Sequence, residues 1–279
     1  MTEKQREFDF TDKDFDRIRI LAHKRAGIFL SPRKRDMVYS RIARRLRSLG
    51  LTRFEEYLHY LEQEEHEAQD FINALTTNLT SFFREAHHFE LLSEQLQQLA
   101  AVGLKRPIHI WSSACSTGEE AYSLAMTAVE AFGSWTPPVK ILATDVDTQV
   151  LRHAQQGIYE ADRISKLEKE RIKTFFVKGK GSRLGKVKVR EQLAQLVQFN
   201  TLNLLAPQWP VKGPYDAIFC RNVMIYFDKP TQYQVLQRFH PLLTEQGLLY
   251  AGHSESFQHA ADLFKLKGKT VFAPVRATP

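Results

Sequence analysis

Arg221 and Asn222 follow directly on Tyr215-Asp216-Ala217-Ile218-Phe219-Cys220, an apolar run long enough for one buried strand. A cationic and an amide side chain straight after a buried segment need an explanation. In open α/β sheets the carboxyl ends of the strands are where ligands bind, and Tyr226 lies just beyond the same end. A second constellation, Ala114-Cys115-Ser116-Thr117-Gly118-Glu119-Glu120, follows the apolar stretch that starts at Ile108. A dinucleotide site would need Gly-x-Gly-x-x-Gly there, so that backbone amides approach a pyrophosphate. One glycine and two carboxylates make a poor diphosphate cradle, because negative side chains beside phosphates raise the electrostatic energy. The positive N-terminus of the helix they open accounts for one of the two acids.

That turn suits S-adenosylmethionine, which carries no phosphate and has a cationic sulfonium and ammonium. Asp145 ends a further apolar run, Val139 to Thr144. An acid there accepts hydrogen bonds from ribose hydroxyls in Rossmann-like sheets, or else caps the next helix. Asp147 can serve as the cap, which leaves Asp145 for ribose. Ala114 is small enough to let a ligand approach closely. Asn203-Leu204 follow another strand end facing the same crevice. No metal is assigned: His87 and His88 are adjacent and point in different directions on a helix, and Cys115 and Cys220 lack metal-ligand spacing.

The elements that must position these residues form two patterns. From Ile108 onward strands and helices alternate, which indicates a mainly parallel sheet covered by helices. The strands are read at Ile108–Ala114, Val139–Thr144, Leu196–Phe199, Tyr215–Cys220 and Leu248–Gly252, with a helix at Gly118–Phe132 and a hairpin around Lys267-Gly268-Lys269. Residues 1–90 read as a helical domain, 91–107 as a linker helix and 108–279 as the sheet domain, interrupted at about 157–196 by a small β insertion. In the helical part Gly27 and Gly50 suit helix ends, Ser31-Pro32 a helix start, and Thr52-Arg53-Phe54-Glu55 a capping box. Between them Arg33–Ser48 carries an apolar stripe, Val38, Ile42, Leu46 and Leu49, with Arg41, Arg44 and Arg47 opposite. Asp36 is the one acid in that stretch, so this face reads as a docking surface, not a mixed solvated one.

Composition bounds the alternatives. With 279 residues and 43% hydrophobic content the chain can bury a full core, and its net charge of +7 favours an acidic partner. No apolar stretch approaches a membrane span and Met1-Thr2-Glu3-Lys4-Gln5-Arg6 lacks the core of a leader, so a cytoplasmic protein is expected. An RNA methyltransferase would share fold and charge, but there is no Asn-Pro-Pro-Tyr-like motif and no recognisable RNA-binding module, so no nucleic-acid partner is expected.

Cys220-Arg221-Asn222-Val223-Met224-Ile225-Tyr226-Phe227-Asp228 resembles the signature of the CheR family of chemotaxis receptor methyltransferases. Asn73-Ala74-Leu75-Thr76-Thr77-Asn78-Leu79-Thr80-Ser81-Phe82-Phe83-Arg84-Glu85, Ser116–Glu120, Ala143–Asp147 and Ala251–Glu255 follow in that family's order and span most of the chain. The resemblance implies an α/β fold: a class I, Rossmann-like S-adenosylmethionine-dependent methyltransferase sheet with an N-terminal helical domain and a small inserted β subdomain. It implies methyl transfer to glutamate carboxylates of methyl-accepting chemotaxis receptors, leaving a methyl ester and S-adenosylhomocysteine. By the same resemblance Glu120 is the ligand-facing acid, and Asn203, Leu204, Arg221 and Asn222 surround the adenosine and methionine portions. Asn78, Thr80 and Arg84 would cap that pocket, where the residues alone read as a polar helix end with Thr80 as N-cap. Arg84 and Tyr226 are the implied catalytic pair, and the helix bearing Arg41, Arg44 and Arg47 would lie near the receptor. The spacing of Gly179, Gly181 and Gly185 resembles members that bind a C-terminal receptor pentapeptide at a sheet edge, with Lys186 and Lys188 on a basic face. The enzyme would then be recruited to membrane receptor arrays without inserting into the membrane.

Overall fold

The computed structural model describes residues 6–276, so the stretch 1–5 read for a leader lies outside the described residues. The chain divides into two compact units, one running up to Thr77 and taking in Tyr226–Asp228, the other made of Asn78–Ile225 and the chain from Lys229 onward.

The first unit holds four helices: α1 (Asp12–Ala26), α2 (Arg35–Leu49), α3 (Phe54–Gln63) and α4 (Glu65–Leu75). Thr11 opens α1 with a capping box, its Oγ1 accepting from the Asp14 amide at 3.1 Å while Asp14 accepts from the Thr11 amide at 2.9 Å. Gly27 and Gly50 close α1 and α2 in left-handed conformation. Two boundaries shift from expectation. Pro32–Lys34 form a single 3-10 turn, so α2 starts at Arg35. The box opening α3 sits one residue later, with the Glu56 carboxylate accepting from the amides of Thr52 and Arg53 at 3.3 and 3.2 Å. Val38, Ile42 and Leu46 are buried as the stripe predicts, whereas Leu49 is only half-buried. Buried Glu67 accepts from Arg45 Nε and the Tyr57 hydroxyl, each at 2.9 Å, which satisfies a charge that would otherwise be costly in the core.

The second unit runs α5 (His87–Ala101), β1 (Ile108–Ser112), α6 (Glu119–Phe132), β2 (Val139–Asp145), α7 (Thr148–Gln156), β3 (Ile158–Glu160), α8 (Lys169–Phe175), β4 (Phe176–Lys178), β5 (Lys186–Val189), α9 (Glu191–Ala194), β6 (Val197–Thr201), β7 (Tyr215–Cys220), α10 (Lys229–Phe239), β8 (Leu243–Ala251), β9 (Phe264–Gly268) and β10 (Val271–Pro274). The helix read at 91–107 is α5; it begins earlier and stops where Gly103 turns left-handed. Seven strands form one sheet in the order β6-β2-β1-β7-β8-β10-β9. β6, β2, β1, β7 and β8 are parallel, and the β9–β10 hairpin adds antiparallel to β8. Every residue of β7 is buried, as a central strand covered on both faces requires. Its buried Asp216 is satisfied by both terminal nitrogens of Arg106, at 2.8 and 2.7 Å.

The chain passes from β1 to β2 and β6 on one side and to β7 and β8 on the other. The order therefore reverses between β1 and β7, the switch point at which such sheets bind ligands. The insertion is a three-stranded antiparallel sheet, β3-β5-β4, whose first strand is too short to read from sequence. Val187 and Val189 of β5 are buried while Lys186 and Lys188 are exposed, so the period-two alternation holds.

Candidate active site

Several segments of the second unit gather around the carboxyl ends of β1, β2 and β7. The turn after β1 needs unusual backbone: Ser116 has φ 51° and Gly118, capping α6, φ 95°. A Cβ on Gly118 would lie 2.8 Å from the Ala154 Cβ, so only glycine fits. Asp145 holds this turn by accepting from the Ser116 amide at 2.8 Å and the Asp147 amide at 2.9 Å. The expectation that Asp145 is left unengaged is thus corrected: both oxygens already accept backbone N–H groups, although a carboxylate has about four acceptor sites, so capacity remains. Burial pushes its pKa up to about 6, against the two amides, which favour the ionised form. Asp147 caps α7 through the amides of Gln149 and Val150, and Asn78 Nδ2 donates to its other oxygen at 2.8 Å. Asn78 is held a second time, its carbonyl accepting from Ser116 Oγ at 3.1 Å.

The two adjacent acids opening α6 have different fates. Glu119 is buried and ion-paired with Arg163, and accepts from Thr117 Oγ1 at 2.6 Å. Glu120 accepts from Ser112 Oγ at 2.7 Å and from Arg221 Nη1 at 3.0 Å. Arg221, itself buried, reaches Glu85 with its other terminal nitrogen at 3.3 Å and donates from it to the Arg84 carbonyl. Asn222 adopts φ 58° and donates from Nδ2 to Glu85 Oε1 at 3.3 Å. Beneath it, buried Glu255 accepts from the amides of Asn222, Val223 and Met224 at 3.0, 3.0 and 2.8 Å. Gly252 is obligatory here, since a Cβ would come 2.3 Å from Asn222 Nδ2.

Ala114 is partly exposed between these groups, and Leu204 is buried while Asn203 accepts from the Leu205 amide at 2.9 Å. Leu202 in turn donates its amide to the Asp145 carbonyl at 2.9 Å, which ties this loop to the end of β2. Residues 76–86 form no helix, so Thr80 caps nothing, and Arg84 Nη1 donates to the Leu79 carbonyl at 2.8 Å. Glu85 and Glu255 lie in the quoted motifs but stand out by no residue-type pattern; their work is gathering polar groups from distant segments. His88 is buried, with Nε2 2.9 Å from the Lys269 carbonyl, and burial together with Arg221 lowers its pKa to about 4. Among the described residues no group of three His, Cys, Asp or Glu is arranged to hold a metal.

In the first unit Tyr226 accepts the Phe29 amide on its carbonyl at 2.9 Å, and Lys34 Nζ lies 4.9 Å from its ring centroid. The outward-facing reading of Arg41 is corrected: it is half-buried and caps α4, donating to the carbonyls of Leu75 and Thr76 at 2.7 and 2.5 Å. Burial and Arg44 lower its pKa. Arg44 is exposed with no ion-pair partner among the described residues, and Arg47 pairs with Glu7 at 2.9 Å. In the insertion Lys186 faces Glu160 at 3.4 Å, so the basic face is partly neutralised. A Cβ on Gly179 would meet the Arg183 carbonyl, and Gly181 and Gly185 have φ 60° and 85°.

The residues present fit S-adenosylmethionine: carboxylates outnumber cations at the strand ends, the turn after β1 carries two acids where a diphosphate cradle would carry glycines, and a buried guanidinium nitrogen, Arg221 Nε, has no partner among the described residues. A parallel sheet of this order with acids at the ends of β1 and β2 defines a class I S-adenosylmethionine-binding methyltransferase. The chain belongs to the CheR methyltransferase family: residues 78–273 match its SAM binding domain and residues 13–76 its all-alpha domain. It is 51% identical to chemotaxis protein methyltransferase 2 of Pseudomonas aeruginosa, over 96% of this chain and 95% of that protein. It is likewise 51% identical to the chemotaxis protein methyltransferase of Escherichia coli, over 94% of this chain and 91% of that one.

Proposed function

We propose that this chain transfers the methyl group of S-adenosylmethionine to glutamate carboxylates of chemotaxis receptors, forming methyl esters. The observation that carries this reading is the half-identical, near full-length match to two chemotaxis protein methyltransferases. When bound, S-adenosylmethionine supplies an activated methyl group on a cationic sulfur. Asn78, Thr80, Arg84, Ala114, Glu120, Asp145, Asn203, Leu204, Arg221 and Asn222 are the residues proposed to hold it, Asp145 through the ribose hydroxyls.

A glutamate of ordinary pKa is ionised at neutral pH, so the nucleophile needs no general base. The remaining work is alignment, which contributes on the order of 7–11 kcal/mol when reacting groups are held in position. Charge disappears as the ester forms, so a tight cationic clamp on the carboxylate would stabilise the ground state more than the transition state. Arg84, with one nitrogen already given to the Leu79 carbonyl, fits a positioning role of limited grip. Tyr226 is proposed to orient the same carboxylate through its hydroxyl. Arg44 and Arg47 offer the exposed charge for docking acidic receptor helices, with Arg41 setting the end of α4 beside them. Gly179, Gly181, Gly185, Lys186 and Lys188 would serve a pentapeptide tether at an edge of the small sheet. The work would be done in the cytoplasm at receptor arrays; among the described residues no helix is long and apolar enough to cross a membrane.

The test is incubation with labelled S-adenosylmethionine and receptor-rich membranes. Base-labile label on receptors is expected, and Tyr226→Phe and Arg84→Ala are each expected to reduce it by more than they reduce cofactor binding. Label on RNA alone would overturn the reading.

A further inference from the structure

Glu85 carries no role in the scheme above, yet it draws together groups from two other segments of the pocket. Its Oε1 accepts from Asn222 Nδ2 and from the His253 amide, each at 3.3 Å, and its Oε2 lies 3.3 Å from Arg221 Nη2. The backbone at Glu85 sits at φ 56°, a conformation rarely adopted by a residue with a side chain. Burial raises its pKa, but Arg221 and the two hydrogen bonds outweigh that and hold it ionised. His88 Nδ1, 3.6 Å away, adds no charge, because burial keeps that ring neutral near pH 7.

The consequence lies in how Arg221 is shared. A guanidinium beside a carboxylate prefers the two-pronged pair, both nitrogens on both oxygens. Here only Nη1 reaches Glu120, at 3.0 Å, while Nη2 donates to the Arg84 carbonyl and is drawn toward Glu85 Oε2, 3.3 Å away. One buried cation therefore faces two carboxylates, Glu120 buried and Glu85 partly so, and the trio keeps a single negative charge. Remove the charge of Glu85 and only the Arg84 carbonyl still holds Nη2, so Arg221 can turn toward Glu120 and the two charges cancel as a neutral pair.

We infer that Glu85 is a positioning residue: by holding one arm of Arg221 it prevents full pairing with Glu120 and keeps Glu120 negative toward the cationic part of the cofactor. This rests on the proposed assignment of the pocket to S-adenosylmethionine. It adds a residue that touches neither substrate nor cofactor and acts through Arg221.

The experiment is calorimetric titration of the full chain with S-adenosylmethionine. Glu85→Gln, similar in size and still an acceptor, is expected to raise Kd about tenfold. In an Arg221→Lys background, where no two-pronged pair can form, the same Glu85→Gln change is expected to alter Kd less than twofold, which a merely structural role would not produce. Unchanged affinity in Glu85→Gln, or an equal loss in both backgrounds, overturns the inference. A Glu85→Gln chain that no longer folds overturns it as well, since the charge would then serve stability. Glu120→Gln separates the two levels: if it binds as tightly as the native chain the pocket assignment itself fails, whereas loss there with none at Glu85 removes only the role of Glu85.

Discussion

The strand-end pocket and the basic face of α2 are both rich in charge, yet charge does opposite work in them. In the pocket Glu120, Asp145, Arg221 and Glu255 are buried and Glu85 is partly so, and each engages named partners from other segments. On α2 the arginines divide: Arg45 and Arg41 are absorbed by Glu67 and by the carbonyls ending α4, and Arg44 and Arg47 remain outside. Buried charges are strongly coupled to fold and ligand, because an orphaned one loses both solvent and partner. Exposed charges are screened, and each contributes little alone.

The contrast breaks most visibly at Arg221. Arg221→Ala leaves Glu85 and Glu120 buried without their cation, and a loss of about 3–5 kcal/mol in unfolding free energy is expected by urea titration. A loss below about 1 kcal/mol would mean the pocket behaves like surface. Next comes Asp145→Ala, expected to weaken S-adenosylmethionine binding by roughly 1.5–3 kcal/mol as a charged acceptor is removed; unchanged affinity in a folded variant would take Asp145 out of the site.

The pKa of Asp145, held at about 6 by burial, gives a third and smaller effect. If Asp145 accepts from the ribose hydroxyls as proposed, they donate to its ionised form, so affinity should fall as pH drops through about 6, by at most about tenfold per unit, and Asp145→Asn should flatten the profile. The sign for folding is opposite: a carboxyl whose folded pKa lies above its unfolded one binds protons more readily when folded, so this group stabilises the fold as pH falls through that window. Affinity lost near pH 5 is then not acid unfolding driven by Asp145. The smallest effect belongs to the surface. Arg44→Glu with Arg47→Glu should slow receptor methylation and flatten the fall of its rate with salt, about 1 kcal/mol or less per site, with cofactor affinity unchanged. A shift in cofactor Kd in that double variant would show that the two regions are not separable.

Much of the pocket could be read before any coordinate because strand ends and helix starts are local patterns. Asp145 and Arg221 each sit one step beyond an apolar run, and Glu120 and Asp147 stand at the starts of the helices that follow. Glu85 escaped because its partners, Arg221, Asn222 and His253, lie more than a hundred residues away, and no spacing rule links them. Arg41 misled for a related reason: helical periodicity gives the direction of a side chain but not the open carbonyls of α4 that it finds there. The same limit hid Glu160, which answers Lys186 from a strand only three residues long.

Gly252 gives the pocket a vulnerability that no contact with ligand would reveal. Asn222 fills the space a side chain at position 252 would occupy, and its backbone is fixed by hydrogen bonds from three consecutive amides to Glu255. Any replacement at 252 must therefore push Asn222 off Glu85, so a random mutational screen would score Gly252 as a ligand-binding residue although it has no side chain with which to bind. Natural variation at that position is expected to be closed to every residue but glycine unless position 222 changes in the same step.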